Sequence, residues 1–305
     1  MTISSTNSVV FLMGPTASGK TELALEMYNQ LDASLISVDS ALIYRGMDIG
    51  TAKPSKVTLE NYPHALIDIC EPDESFSVNQ FVSLAKQHIE SALNAGKLPI
   101  LVGGTSFYFN ALEHGLSKLP ESTKDSRKYF NDRLKNQGSE KLHSQLLKID
   151  PTSATRIHPN DSQRVTRALE VFHLSGVTLS ELQGNKNENK LNHEVKKIIL
   201  MPDRSELHQR IEQRFIEMIK DGFLDEVEAL RKNKNLNLDL ASMRCVGYRQ
   251  AWNYFDGLYS KQEMIEKAII ATRQLCKRQC TWLRNENDAL ILEKTNIDSV
   301  INFLQ

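Results

Sequence analysis

Short apolar runs alternate with amphipathic segments in the first third of the chain. The runs at residues 9–13, 35–38 and 98–102 are typical of strands that are buried on both faces. Residues 21–30 and 78–95 instead repeat apolar side chains at the period of a helix. Strands that alternate with helices predict a parallel sheet covered by helices, with ligands bound at the carboxyl ends of the strands.

The pattern changes in the middle of the chain. Residues 120–195 are polar, have a helical period and contain no run typical of a buried strand before the apolar pattern returns. We therefore predict an α/β fold with a parallel-sheet core formed by residues 1–119 and 196–305, and with a helical insertion domain at residues 120–195. We also expect a strand at residues 66–69 and a polar loop at residues 185–190.

The first strand leads directly into a phosphate-binding motif, because residues 14–21 read GPTASGKT and match the pattern G-x-x-x-x-G-K-[ST] in full. Small residues let backbone N–H groups turn toward an anion, and the following helix adds the positive end of its dipole. The lysine brings a charge to the outer phosphates, and the threonine offers a hydroxyl to Mg2+. The motif makes the core P-loop NTPase-like and predicts a di- or triphosphate site. Its residues are Gly14, Pro15, Thr16, Ala17, Ser18, Gly19, Lys20 and Thr21, with Thr21 as the metal ligand.

Composition narrows the class of protein. The 305 residues are 40% hydrophobic and 25% charged, as in ordinary globular proteins. With a net charge of -1, the protein as a whole produces no positive field that would attract nucleic acid. A nucleic-acid site must therefore be a local basic patch. No apolar run approaches the length of a membrane span, and we expect a cytoplasmic protein without a membrane partner. Four cysteines fit a reducing compartment, and Cys276 and Cys280 are interpreted as helix-packing residues.

Two strand ends carry candidate chemistry. Asp39 follows the second strand on the edge of the sheet that carries the phosphate loop, where a carboxylate would bind Mg2+ through water or act as a general base. The alternative is an aspartate that caps the next turn. The most apolar strand ends in Gly103, Gly104 and Thr105, where P-loop NTPases usually carry an acid for Mg2+. The missing acid weakens a hydrolytic function, and the two glycines are expected to let a ligand approach the backbone closely.

Three segments combine basic residues with hydrogen-bonding or aromatic residues. They span residues 156–167, 244–249 and 277–284. This composition suits contacts with a phosphate backbone and stacking on unpaired bases of single-stranded RNA. One such segment alone is more typical of a solvated helix face, but three of them in a near-neutral chain favour an RNA-binding function.

In combination, these motifs resemble those of the bacterial tRNA dimethylallyltransferases, the tRNA isopentenyltransferase family. Besides the phosphate loop, the similar stretches are VDSALIYRGMDIGTAKP (38–54), VGGTSFYF (102–109), ATRIHPNDSQRVTRALEVF (154–172), IEQRF (211–215), SMRCVGYRQ (242–250) and ATRQLCKRQCTWLR (271–284). The resemblance implies transfer of a dimethylallyl group from dimethylallyl diphosphate to N6 of the adenosine 3′-adjacent to the anticodon, with release of diphosphate. The phosphate loop would then hold the diphosphate of the donor and not a nucleoside triphosphate.

The resemblance also implies roles for individual residues. Asp39 would be the general base for N6, Thr105 would hydrogen-bond at the reacting amine, and Mg2+ would be the cofactor. An arginine, Arg214 or less favourably Arg210, would lie near the diphosphate. The protein would act as a monomer on the anticodon stem-loop of tRNA. The residues implied to contact tRNA are Asp39, Ser40, Ala41, Leu42, Thr105, Arg127, Gln163, Arg164, Val165, Thr166, Arg167, Arg244, Cys245, Val246, Gly247, Tyr248, Arg249, Lys277, Arg278, Gln279, Cys280, Thr281, Trp282, Leu283 and Arg284.

Two other classes of protein fit part of the sequence. A small-molecule kinase fits the phosphate loop, but the missing acid after the most apolar strand argues against it. A non-catalytic RNA-binding protein fits the basic segments, but the complete phosphate motif argues against it.

Overall fold

The computed structural model describes residues 8–184 and 190–305, so residues 185–189 of the expected polar loop lie outside the described residues. The strands are β1 (Ser8–Met13), β2 (Ala33–Val38), β3 (His64–Ala65), β4 (Leu98–Gly103), β5 (Glu194–Leu200) and β6 (Ala289–Leu292). The helices are α1 (Lys20–Gln30), α2 (Lys56–Asn61), α3 (Val78–Asn94), α4 (Ser106–His114), α5 (Lys124–Gln137), α6 (Ser139–Ile149), α7 (Pro151–Arg156), α8 (Ser162–Ser175), α9 (Leu179–Gly184), α10 (Arg204–Lys220), α11 (Phe223–Arg231), α12 (Tyr248–Phe255), α13 (Lys261–Leu283) and α14 (Ile297–Leu304).

The described strands form one parallel sheet in the order β3-β2-β4-β1-β5-β6. β4 lies between β1 and β2, and its last residue, Gly103, pairs with Met13 on one side and with Val38 on the other. The three central strands therefore end at the same level, and the loops that follow them leave the sheet side by side. The predicted α/β fold with a parallel-sheet core is confirmed.

The chain divides into two compact units. The described residues of Met1–Glu113 and Leu191–Gln305 form the sheet unit, and those of His114–Lys190 form a helical unit. The helical unit begins and ends a few residues earlier than the insertion expected at 120–195. Its own core is a cluster of buried side chains that includes Phe130, Leu142 and Val165.

Two apolar clusters among the described residues of the sheet unit support the loops at the strand ends. The first packs the predicted face of α1, with Leu23, Ala24 and Met27 buried, against side chains of β1, β2, β4 and β5. The second joins the segment after β2 to α10, α11, α12 and α13, and includes Phe223 and Tyr248. Because the second cluster connects distant parts of the chain, the loop after β2 is supported by helices that follow it by more than 150 residues.

The strand expected at residues 66–69 is wrong. β3 comprises only His64–Ala65, and the next residues include Leu66 and Asp68 with left-handed backbone at φ of 66° and 54°. Left-handed residues interrupt the pleat of a strand, so this apolar run folds as a loop. The side chain of Leu66 is nevertheless buried, which explains why the run is apolar.

Gly103 provides a test of the strand packing, because a Cβ built there would lie 2.0 Å from the carbonyl oxygen of Val38. We expect Gly103→Ala to lower the free energy of unfolding by about 1–3 kcal/mol, since the strands must move apart. Denaturant unfolding measures this change. Gly184→Ala is the control, because no described residue lies within 4 Å of a Cβ at that position. Equal stability of Gly103→Ala and the unmodified protein would contradict the close approach.

Candidate active site

The phosphate loop leaves β1 at Met13 and turns tightly into α1. Ala17 and Gly19 have left-handed backbone, with φ of 63° and 95°. A Cβ on Gly14 would lie 2.5 Å from the carbonyl oxygen of Leu200, so the start of the loop is pressed against the end of β5. Gly19 is the N-cap of α1 and has no side chain to satisfy the N–H groups of the first turn. Free N–H groups and the positive end of the helix dipole suit an anion at this position.

Lys20 lies folded over this loop. Its Nζ donates hydrogen bonds to the carbonyl oxygen of Pro15 at 2.7 Å and to Ser18 Oγ at 3.3 Å. Burial lowers the pKa of Lys20 to about 8, the Asp39 carboxylate opposes this change, and the positive charge of Arg214 adds to it. The Lys20 ammonium therefore loses its proton at a lower pH than an exposed lysine does.

Asp39 has one committed carboxylate oxygen and one that is available. Its Oδ1 accepts hydrogen bonds from the backbone N–H groups of Ala41 at 2.8 Å and Leu42 at 3.3 Å. Its Oδ2 accepts none of the hydrogen bonds found among the described residues. Thr105 Oγ1 accepts a hydrogen bond from the N–H of Ser40 at 3.1 Å and so ties the β4 strand end to the Asp39 turn. The aspartate thus caps its turn and still presents an oxygen for chemistry.

The structure separates the two candidate arginines on α10. Arg210 Nη1 donates to the carbonyl oxygens of Ala17 at 3.4 Å and Ser18 at 3.2 Å, and Arg210 Nη2 pairs with Glu206 at 2.6 Å. Arg214 has no hydrogen bond or ion pair with any residue that the structure describes. Burial lowers the pKa of Arg214, and the carboxylate of Asp39 opposes that change. Arg210 therefore holds the phosphate loop, while Arg214 remains available to an anion.

The space beside the two glycines after β4 is filled by the protein itself. A Cβ on Gly104 would lie 2.5 Å from Gln279 Nε2, and Gly103 is already in close contact with β2. Gln279 Nε2 donates to the carbonyl oxygen of Gly104 at 2.9 Å, and Gln279 Oε1 accepts from the N–H of Thr16, also at 2.9 Å. The close approach that these glycines allow is made here by β2 and α13, and the approach of a ligand to them stays a prediction.

A buried lysine organises the segment after the Asp39 turn. The side chain of Lys53 is only 3% exposed. Its Nζ donates to the carbonyl oxygen of Tyr44 at 2.8 Å and pairs with the carboxylates of Asp48 at 2.6 Å and Asp68 at 2.5 Å. The Lys53 ammonium therefore ties together the Tyr44 carbonyl and the carboxylates of Asp48 and Asp68, which lie in the loops that follow β2 and β3.

The carboxylate of Glu226 on α11 also holds the segment that follows the Asp39 turn. Glu226 accepts hydrogen bonds from the N–H groups of Asp48 at 2.8 Å, Ile49 at 2.7 Å and Gly50 at 3.2 Å, and from the Tyr248 hydroxyl at 2.5 Å. Sequence reasoning missed Glu226, because an acid in the first turn of a helix is ordinary and its partners lie far away in the chain.

The tRNA-contact candidates of the sheet unit fall into three groups by exposure. The exposed ones are Ser40, Arg244, Arg249, Lys277, Arg278, Thr281 and Arg284. The partly buried ones are Asp39, Ala41, Leu42, Thr105, Cys245, Val246, Gln279, Cys280 and Trp282. The buried ones are Gly247, Tyr248 and Leu283. The side chains of Tyr248 and Leu283 pack in the interior, and Gly247 has no side chain, so none of the three presents a side chain to solvent.

One face of α13 lines an open groove of about 500 Å³. The residues that line it are Gln274, Lys277, Arg278, Thr281, Trp282 and Asn285. Two cations beside an indole ring suit a nucleic-acid backbone and a stacked base.

The helical unit uses some of its candidates for its own structure. Arg167 pairs with the buried Glu170 at 2.6 Å and donates to the carbonyl oxygen of Pro120 at 2.7 Å. Arg164 pairs with Asp161, Thr166 is partly buried, and the side chain of Val165 is fully buried.

Two further candidates of the helical unit are exposed. Arg127 Nε donates to Ser122 Oγ at 2.8 Å, and Gln163 is exposed at the start of α8. Gln163, Arg164 and Arg127 are therefore the accessible candidates of this unit.

Comparison with known proteins identifies the family. Residues 42–286 match the family model described as IPP transferase. The chain belongs to the IPP transferase family. The tRNA dimethylallyltransferase of Ruthia magnifica is 60% identical and covers 100% of this chain, which spans 99% of that protein. The tRNA dimethylallyltransferase of Methylococcus capsulatus is 51% identical, with coverage of 93% and 92%.

Solved structures of IPP transferases agree with the fold. The full-length tRNA isopentenylpyrophosphate transferase from Bacillus halodurans is 34% identical, with a TM-score of 0.71 and coverage of 98% of this chain and 94% of that chain. A eukaryotic dimethylallyltransferase acting on tRNA is 26% identical, with a TM-score of 0.78 and coverage of 96% and 75%. The resemblance inferred from the motifs is confirmed.

The described residues also bear on other kinds of site. In the part of the chain that the structure describes, no group of three or more His, Cys, Asp or Glu side chains is placed to hold a metal ion. Cys276 is buried, and Cys280 packs against the same cluster, as expected for helix-packing residues.

None of the helices within residues 8–184 and 190–305 has the length and apolar character that a membrane span requires.

The lowered pKa of Lys20 predicts a pH dependence of anion binding. The Lys20 ammonium loses its proton, and with it the positive charge, as the pH rises through about 8. The affinity for inorganic diphosphate should therefore fall above that pH. Lys20→Arg stays charged throughout, and its affinity should not show this additional fall between about pH 7 and about pH 9.5. Calorimetric titration of both proteins measures the ratio of affinities, in which the titration of the ligand itself cancels. A constant ratio over this range would contradict the assignment.

Because Tyr248 is buried, we expect its substitution by phenylalanine to lower the stability of the protein without lowering its affinity for RNA. Tyr248→Phe removes a hydrogen bond to a carboxylate, and we expect the free energy of unfolding to fall by about 1.5–3 kcal/mol. The affinity for tRNA and its salt dependence should stay unchanged. Tyr254→Phe on the same helix is the control, since that ring is only partly buried. Weaker tRNA binding at full stability would instead mean that the hydroxyl contacts RNA.

Proposed function

We propose that this chain transfers the dimethylallyl group of dimethylallyl diphosphate to N6 of the adenosine 3′-adjacent to the anticodon of tRNA, and releases diphosphate. Prenylation of tRNA is the activity of its family, and the chain is an enzyme of this class. The observation that carries the finer proposal is the phosphate loop next to the available oxygen of Asp39, on a sheet whose intervening strand ends without an acid. This arrangement suits a diphosphate that leaves and not a phosphoryl group that is transferred.

The donor side of the site is positively charged. The N–H groups at the start of α1, the ammonium of Lys20 and the guanidinium of Arg214 would surround the diphosphate. As the bond between C1 and the bridging oxygen breaks, its electron pair leaves with the diphosphate, and these groups would stabilise the growing negative charge. Arg210 would keep the loop in place through its bonds to Ala17 and Ser18.

The acceptor side is formed by the Asp39 turn and Thr105. The adenosine must leave its stack before its amine can react, and the turn at residues 39–42 would receive it. The N6 lone pair forms the new bond to C1, and the N6 proton passes to Asp39 Oδ2. Thr105 Oγ1 already accepts from Ser40, so its hydroxyl proton remains to be donated near the amine.

Mg2+ fits the residues at the start of α1. This ion prefers oxygen ligands and keeps several waters, so it needs only one or two protein groups beside the phosphate oxygens. Thr21 is exposed in the first turn of α1, directly after Lys20 of the phosphate loop. Thr21 would hold the ion, which would neutralise part of the charge of the diphosphate.

The anticodon stem-loop would lie along the exposed basic residues of the sheet unit. The groove on α13 offers Lys277 and Arg278 for phosphates and Trp282 for a base, and Arg244 and Arg249 are exposed as well. These exposed side chains support the proposal for tRNA binding, in contrast with the buried members of the same motifs.

Label transfer tests the proposed reaction. Purified protein is incubated with Mg2+, dimethylallyl diphosphate labelled in the allyl group, and unmodified tRNA with an adenine-rich anticodon loop. We expect label in tRNA and one diphosphate released for each group transferred. A tRNA whose adenosine 3′ of the anticodon is replaced by guanosine should accept no label. Labelling of that control tRNA would contradict the proposed position, and ATP consumption without transfer would favour the kinase alternative.

The role of Asp39 is tested by Asp39→Asn, which keeps the acceptor for the Ala41 and Leu42 N–H groups and removes the base. We expect kcat to fall by about 10²- to 10⁴-fold, since this is the usual contribution of a general base. The Kd for tRNA should not change. Asp32→Asn is the control. Asp32 is an exposed aspartate that follows α1, so this variant should keep full activity. Equal losses in kcat and tRNA affinity would show that Asp39 serves binding.

A further inference from the structure

We propose that Gln279 is a positioning residue that fixes the phosphate loop against the strand end carrying Thr105, and so sets the separation between the leaving diphosphate and the attacking amine. The proposal rests on the proposed function, because it concerns the same two substrates. It reassigns a residue whose motif implied a contact with tRNA.

The contacts of Gln279 carry the proposal. Its amide oxygen accepts from the N–H of Thr16 in the phosphate loop at 2.9 Å, and its amide nitrogen donates to the carbonyl oxygen of Gly104 at 2.9 Å. Gly104 precedes Thr105 directly. A single planar amide on α13 therefore connects the loop proposed to hold the donor to the strand end proposed to face the acceptor.

The chemistry of the two backbone partners calls for an amide. Thr16 offers an N–H, which needs an acceptor, and Gly104 offers a carbonyl, which needs a donor. Glutamine carries both groups at the end of one side chain, whereas glutamate carries only acceptors and leucine carries neither. The fit is mutual, because a Cβ on Gly104 would lie 2.5 Å from the amide nitrogen.

The sheet alone does not set this separation. Pairing between β1 and β4 ends at Met13 and Gly103, so Thr16 and Gly104 lie beyond the last paired residues. The bridge through Gln279 adds a connection where strand pairing has stopped. A loop that shifts by about 1 Å relative to a reacting group is enough to cost about 10²-fold in rate.

The position of Gln279 on α13 links both substrates. Lys277, Arg278 and Trp282 line the groove on one face of this helix, while Gln279 contacts the two loops. The helix α13, which is proposed to hold tRNA, therefore also holds the phosphate loop.

The test compares three glutamines of α13. Gln279→Leu removes both hydrogen bonds at similar volume, and Gln279→Met does so at similar length. We expect either variant to lower kcat by about 10- to 100-fold and to weaken binding of inorganic diphosphate, measured by calorimetry without tRNA. The Kd for tRNA and its dependence on salt should match those of the unmodified protein. Gln274→Leu, in the groove, should keep the affinity for inorganic diphosphate. Gln262→Leu, at the start of the helix, should keep both activity and diphosphate affinity.

Two results would overturn the proposal. Unchanged kcat and diphosphate affinity in the Gln279 variants would mean that the bridge positions nothing. A loss confined to tRNA affinity would mean that Gln279 contacts RNA, as its motif implied. Thermal unfolding of each variant verifies that it is folded, and the methionine variant serves if the leucine variant is not. If the unmodified protein transfers no label, the proposed function fails, whereas the diphosphate titrations still test the bridge.

Discussion

The candidate site depends on the packing of β4 between β1 and β2. Gly103 pairs with Met13 and Val38 together, and its Cα lies so close to the Val38 carbonyl that no side chain fits. Parallel strands that end at one level place their loops next to each other, so this register places the phosphate loop, Asp39 and Thr105 at one edge. A shift by one residue would turn every side chain of β4 to the opposite face and would separate these groups. The chemistry is thus set first by backbone packing.

Side chains from helices later in the chain then hold each loop. Arg210 on α10 binds the carbonyl oxygens of the phosphate loop, Glu226 on α11 binds three N–H groups of the segment after Asp39, and Gln279 on α13 binds both central loops. In every case the partner in the loop is the backbone. Backbone groups in loops have no ladder partner, and burial without one is costly, so each contact also removes an unsatisfied group.

Periodicity was sufficient for the elements that bury a regular face. Leu23, Ala24 and Met27 are buried on α1 as their spacing predicted, and the central strands were evident from continuous apolar runs. It failed at Leu66, where an apolar residue is buried from a left-handed loop, because period describes regular backbone only. Motif resemblance located whole segments but not the direction of their side chains. Tyr248 lies in such a motif and is fully buried, whereas Arg249 beside it is exposed. Glu226 and Gln279 act through partners far away in the chain, so no local pattern reports their roles.

The charges of the site are consistent with the proposal that it serves both an anionic donor and a proton transfer. Lys20 and Arg214 are two cations held in a partly buried place, burial disfavours the charged form of each, and the carboxylate of Asp39 favours it. Without the donor, Asp39 is the anion that offsets both cations. A diphosphate carries more negative charge than one carboxylate and would take over that role. Asp39 would then face the acceptor with less of its charge engaged by the donor side. In the proposed reaction, the same aspartate would keep the cations of the site charged before the donor binds and would be available as a base afterwards.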